Sequence, residues 1–278
     1  MEILRYSSFA TAPHGGNPAG VVLDAGHLSE LTMQETAAVV GYSETAFVTT
    51  SPDGGMEVRY FSPLVEVPFC GHATIAAAVA HADRNGIGDL SFHTRAGIIP
   101  VKTRRSPDGS LVATLVSVPT RTEPIAKDDL DLLLRALGWA PEELNPALPP
   151  RAAYAGAWHP IIAAAGRARL SRLDYDMDAL AGLMNARGWA TIDLVWEESP
   201  TVFHCRNPFP PGGVVEDPAT GAAAAAFGGY LRELRTTSAP EQITVYQGFD
   251  MGRPSRIDVS IPAEPGSGIS VTGPAIRL

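Results

Sequence analysis

The sequence predicts an α+β fold of two similar halves, each a central helix wrapped by strands, and three observations predict it. The first is an internal repeat. Residues 66–77 read EVPFCGHATIAA and residues 216–227 read EDPATGAAAAAF, so Glu, Pro, Gly and an Ala-rich stretch recur at an offset of 150 residues. The second is an upstream echo, Arg59-Tyr60-Phe61-Ser62-Pro63 against Arg206-Asn207-Pro208-Phe209-Pro210. The third is a shared order: in both copies an extended segment leads into a Pro-containing turn, a Gly and then an apolar helix. A duplicated domain with a pseudo-twofold axis accounts for all three.

In the first half, Glu2–Phe9, Gly20–Asp24, Thr45–Thr49, Met56–Ser62, Leu90–Val101 and Leu111–Val118 are read as strands. Ala73–Asp83 is helical by composition, and a helix apolar on all sides is a buried one. In the second half Gly221–Leu234 plays that helix. Strands are expected at Tyr154–Ala164, Ile192–Glu197, Gln242–Gln247, Arg256–Ile261 and Ile269–Thr272, with shorter helices at Asp128–Leu137 and Met177–Arg187. The Pro- and Thr-bearing stretch Pro119–Lys127 reads as the linker, which divides the chain into domains 1–119 and 120–266. Strands gathered around single helices, and not a run of βαβ units, make the class α+β.

Composition narrows the function. With 278 residues, 45% of them apolar, the chain can bury two domain-sized cores. Its formal charge is -9 and its 21 Lys and Arg are scattered, so no basic footprint for nucleic acid forms. The first residues, MEILRYSSFATAPHGG, have no charged leader before an apolar run, and nowhere do about 20 apolar residues follow one another. A soluble, cytoplasmic protein without membrane partners is expected. Cys70, Cys205 and the seven histidines show no metal-ligand spacing. The glycine-rich His14–Gly20 has neither a P-loop Lys-Ser/Thr nor a GxGxxG spacing. The expectation is no metal and no cofactor, which leaves side-chain chemistry.

The first turn of each helix leaves backbone N–H groups without intrahelical partners, and the helix dipole puts partial positive charge there, which suits a carboxylate. If the pseudo-twofold axis brings the two buried helix starts face to face, Gly71, His72 and Ala73 meet Gly221 and Ala222 in one cleft between the domains.

Gly16-Asn17-Pro18, Ser43-Glu44-Thr45-Ala46-Phe47, Arg59-Tyr60-Phe61-Ser62-Pro63, Cys70-Gly71-His72-Ala73-Thr74, Glu216-Asp217-Pro218-Ala219-Thr220-Gly221 and Gln247-Gly248…Gly252-Arg253-Pro254-Ser255 together resemble the PhzF-like family, in the family's order and over nearly the whole chain. The resemblance implies the diaminopimelate-epimerase fold, two pseudo-symmetric domains each a curved β-sheet or barrel around a central helix, with the last strand, about residues 267–278, returning to the first domain. It also implies a cofactor-free homodimer with its active site in the cleft. In the family's phenazine-pathway members a glutamate of the SETAF-type motif takes a proton from one carbon of a cyclohexadiene ring and delivers it to another. Glu44 holds that position, and the resemblance pairs Asp217 with His72 in holding polar substrate groups. Two positions depart from the family's pattern: Ala222 stands where a serine usually follows EDPATG, and Pro208 where phenylalanine is usual.

As residues, Glu44 heads an apolar strand, where a carboxylate is partly desolvated and suits a base that must also return its proton, or else it is a surface strand-end acid. His72 at a helix start suits a neutral hydrogen-bonding imidazole or a cap. Asp217 is by position an ordinary turn acid, Glu216 beside it reads as structural, and Asn17 contacts substrate or shapes a turn. Cys70 aligns with a catalytic cysteine of the related epimerases, but the second thiol that a two-base stereoinversion needs is Thr220 here. Cys70 is therefore expected as a small packed residue. The leading reading is an isomerase that shifts a proton within a small carboxylate-bearing substrate through Glu44, with His72 and Asp217 orienting the substrate. A racemase or epimerase using Cys70 is one rival; a non-catalytic small-acid binding protein, kept open by Ala222, is another.

Overall fold

The computed structural model describes residues 1–50, 55–235 and 241–278. Its first half is a closed eight-stranded barrel. The strands run in spatial order Leu4–Ser8, Asn17–Val22, Glu44–Thr50, Met56–Phe61, Asp89–Thr94, Gly97–Arg105, Leu111–Val116 and Ser270–Arg277, the last pairing back to the first. The second half repeats the order with Arg151–Tyr154, Trp158–Ala163, Asp193–Ser199, Val202–Phe209, Gln242–Gln247, Ser255–Ser260 and the start of Ser270–Arg277. Successive pairings in both halves run antiparallel, parallel, antiparallel, parallel, antiparallel, antiparallel. A motif of a few residues thus extends to a duplicated sheet topology.

The two halves share their closing strands. Ser270–Thr272 pairs with Asp258–Ser260 of the second sheet, while Ala275–Arg277 pairs with Tyr6–Ser8 of the first. The chain following Leu111–Val116 likewise crosses over, because Arg121–Pro124 pairs with Arg151–Tyr154. A strand therefore lies inside the stretch that composition marks as a linker.

Each sheet wraps one helix, Gly71–Asn85 or Gly221–Leu234. Ala-rich composition favours the helix, and short side chains let strands close around it. From Gly71 to Ala80 every residue of the first is buried. Both helices belong to one continuous core, which Tyr60, Phe92, Phe203, Phe227 and Tyr230 fill. A second cluster packs Lys127–Leu137 and Met177–Arg187 against the outer face of the second sheet through Leu133, Leu137, Leu180, Met184 and Ile192.

Three differences from the sequence expectation have local causes. The single strand expected over Leu90–Val101 is a hairpin, turning where Gly97 adopts φ 123°. Tyr154–Ala164 is likewise split around Gly156 at φ 103°, conformations that L side chains rarely adopt. Helix Glu30–Val40 escaped the composition argument because its apolar residues form only a partial stripe; only Met33, Thr36 and Ala37 are buried. Among the described residues no helix is long and apolar enough to cross a membrane.

Candidate active site

The two central helices begin against each other. A Cβ added to Gly71 would lie 3.3 Å from the backbone N of Ala222 and 3.4 Å from the Cα of Gly221, so a larger residue would push the helix starts apart. Neither N-cap side chain, Cys70 or Thr220, bonds back to its helix, and neither first turn carries an acid. The first-turn N–H groups are left for a ligand.

A cavity of about 250 Å³ opens beside these starts. Glu44, Cys70, Gly71 and His72 from the first half and Asp217, Thr220, Gly221 and Ala222 from the second line it, with Val67, Pro68, Phe69 and Phe209 as apolar wall. Helix Glu30–Val40 stops at Gly41, and the chain re-enters the barrel as the strand headed by Glu44, parallel to Asn17–Val22. That places a carboxylate, 8% exposed, at the barrel's mouth.

His72 is fixed from both sides. Its Nδ1 lies 3.1 Å from Asn17 Nδ2, a donor, and 3.3 Å from Cys70 Sγ. Nε2 faces Glu44 Oε2 at 3.4 Å and Ser43 Oγ at 3.3 Å. Asn17 Nδ2 donates to Asp217 Oδ1 at 2.7 Å, and its second proton is shared between the carbonyl of Ala219 and His72 Nδ1, each at 3.1 Å. Thr220 Oγ1 donates to Asp217 Oδ2 at 2.6 Å. Burial pushes Asp217 up to about 6 against the lowering effect of His72 and these donors, with the Glu44 charge adding to the rise. Gln247 holds the turn, donating to the Asp217 carbonyl at 2.7 Å and accepting from Thr220 N at 2.9 Å. Its place in the Gln247-Gly248 motif thus has a structural cause.

Burial, and next the charge of Glu44, pushes the Cys70 thiol well above its ordinary pKa. Donor atoms of Glu44, Cys70 and His72 all lie within 4.8 Å of one another, a spacing at which a soft divalent cation could be held. The sequence does not reveal this set, because Glu44 is remote in the chain from Cys70-Gly71-His72.

Glu44, His72, Gly71, Asp217, Gly221 and Ala222 thus come together as anticipated from the sequence, and two candidates do not reach the cavity wall. Asn17 stands behind it, 1% exposed, joining His72 to Asp217. Ala73, 0% exposed, is packed in the core. Sequence reasoning missed Thr220 as a partner of Asp217, although it stands in the repeated motif. It also missed His159 and Thr191, which line the cavity from strand ends without any local motif. The parallel pairing of Trp158–Ala163 with Asp193–Ser199 and the bridge of Trp158 to Trp189 bring these two together. Pro208, the departure in the echoed segment, sits where the register shifts against Val214–Asp217, a strand position that tolerates proline.

The phenazine biosynthesis-like (PhzC-PhzF) family model matches residues 6–278. YfhB of Bacillus subtilis (strain 168), an uncharacterized isomerase, is 31% identical over 99% of this chain and 96% of its own length. The trans-2,3-dihydro-3-hydroxyanthranilate isomerase of Pseudomonas chlororaphis is 33% identical over 89% of this chain and 86% of its own. The crystal structure of the Bacillus anthracis phenazine biosynthesis protein of the PhzF family superposes with a TM-score of 0.87 at 26% identity, covering 100% of this chain and 98% of that one. Its relatives make this chain an isomerase, and its fold has the α+β, diaminopimelate-epimerase-like architecture expected from the sequence. The chain belongs to the phenazine biosynthesis-like, PhzF-type family.

Proposed function

We propose that this isomerase moves a proton within a small carboxylate-bearing substrate, with Glu44 as the base that takes the proton from one carbon and the acid that returns it to another. The observation that carries the reading is the setting of Glu44: its buried carboxylate lines a half-open, largely apolar cavity and faces Nε2 of His72 at 3.4 Å. The uncapped helix starts at Gly71 and Gly221 hold the substrate carboxylate. His72 and Asp217, tied together through Asn17, orient the remaining polar groups. The transfer is redox-neutral, and side chains supply both base and acid. Closure of the two halves over the substrate keeps water from exchanging the proton in transit.

Cys70 is less suited to the role of base, because a buried thiol held above its ordinary pKa next to a carboxylate supplies little thiolate. Its would-be partner across the cavity is Thr220.

The test is NMR in deuterated water on a panel of dihydroaromatic and amino-acid carboxylates. Wild type is expected to isomerise a member of the panel, and Glu44→Gln to lose at least about 10³-fold in rate with an unchanged fold. Isomerisation that survives in Glu44→Gln would overturn the assignment.

A further inference from the structure

The cavity has a polar subsite on its second-half wall that the proton transfer does not use. His159, 1% exposed, lines the cavity, and its Nε2 has no hydrogen-bond partner among the described residues. A buried polar atom left unpaired costs roughly 1–3 kcal/mol, and on a ring that lines a cavity it marks the group a ligand would pair with.

A relay behind the ring decides what Nε2 can do. Asn207 Nδ2 donates to Asp193 Oδ1 at 3.1 Å. That turns Asn207 Oδ1 toward Thr191, whose hydroxyl donates to it at 2.7 Å. The hydroxyl has one proton and has spent it. At 2.9 Å from His159 Nδ1, Thr191 Oγ1 must therefore accept, which puts the imidazole proton on Nδ1 and a lone pair on Nε2. Burial keeps the ring neutral by lowering His159 to about 4. Every member of the relay is at least nine-tenths buried: Thr191 is 4% exposed, Asn207 1% and Asp193 1%. The orientation is built into the second sheet.

We propose that His159 is a specificity-determining residue, whose Nε2 accepts a hydrogen bond from an amino or hydroxyl group of the substrate. The inference rests on the reading of the cavity as the substrate site. It adds that the carboxylate-bearing substrate carries an N–H or O–H donor at a fixed place, and that Thr191 acts as a positioning residue by holding the tautomer.

Calorimetric titration at pH 8.5 with two unreactive probes, benzoate and 3-hydroxyanthranilate, tests it. Wild type should bind the donor-bearing ring about tenfold more tightly than benzoate, the effect of one good hydrogen bond. His159→Phe should lose most of that preference. Thr191→Val should lose most of the preference and Thr191→Ser keep it. Should His159→Phe fail to fold, ¹⁵N NMR of the wild type reads the ring directly: a pyridine-like Nε2 that moves when 3-hydroxyanthranilate is added, and not when benzoate is, supports the proposal. A preference undiminished in His159→Phe, an absence of preference in wild type, or a pyridine-like Nδ1 would overturn it. Binding preference is read without turnover, so failure of Glu44 as the base leaves this test intact, and failure here leaves the Glu44 assignment intact.

Discussion

The two halves repeat one sheet order and one helix start, yet their polar groups are used differently. In the first half the strand headed by Glu44 offers its carboxylate to the cavity, beside His72 and Cys70. In the second half the corresponding strand begins with Asp193, and that carboxylate is sealed behind Asn207 and Thr191. An ion pair is duplicated as well. Arg59 grips Glu66, and Arg206 grips Glu216. The first pair is joined by Glu30 and Arg95 at the surface; the second has both side chains under 10% exposed. Duplication supplied the scaffold twice, while the open carboxylate was kept on one side and the rigid backing on the other.

The ion pairs give the largest expected effect on stability. Arg206→Ala strips a buried Glu216 of its partner, and an uncompensated buried charge costs about 3–5 kcal/mol. Arg59→Ala leaves Glu66 with Arg95 at 2.6 Å and should cost about 1 kcal/mol. Urea unfolding of the two variants compares the halves directly; equal losses would show that burial is not what separates them.

The sealed carboxylate comes next, and its sign is opposite to that of a salt-bridged acid. Burial raises Asp193 to about 7, well above the unfolded range. The folded protein therefore favours the protonated form, and the stability it draws from that form is present at low pH and lost as pH rises toward about 7. Asp193→Asn does not titrate. The stability of Asp193→Asn relative to wild type should rise by roughly 2–4 kcal/mol between pH 4 and pH 8, and level off above that. A difference that does not change with pH would mean that Asp193 is ionised in the fold.

These contrasts also show what was legible in the sequence. Gly71 and Gly221 betrayed the paired helix starts, because only glycine permits such close approach, and a short motif with an Ala-rich tail survives duplication intact. Glu44, His72 and Asp217 were legible through motifs near those starts and through family resemblance. The His159 relay was not. Its members come from three strands, with Asn207 paired to Asp217 across one edge and Asp193 in parallel register with Ile161 on the other. Parallel pairing leaves no short-range pattern, so nothing local joins those positions. The crossover of Arg121–Pro124 was hidden for a related reason, since its proline and threonine are as compatible with a sheet edge as with a linker.

The smallest expected effect separates the two chemistries that this fold could support. Cys70 touches His72 Nδ1 at 3.3 Å, so a hydroxyl in its place can make the same contact. If the thiol only packs and orients, Cys70→Ser should keep turnover within about threefold, with a stability loss of about 1 kcal/mol from burying a more polar group. If Cys70 were a base, the same change would remove a proton acceptor and cost about 10²–10⁴-fold in rate. The absence of a second thiol on the facing helix start, where Thr220 binds Asp217, makes the first outcome the expected one. The rate of Cys70→Ser on the substrate found for wild type decides whether the first half's open carboxylate works alone.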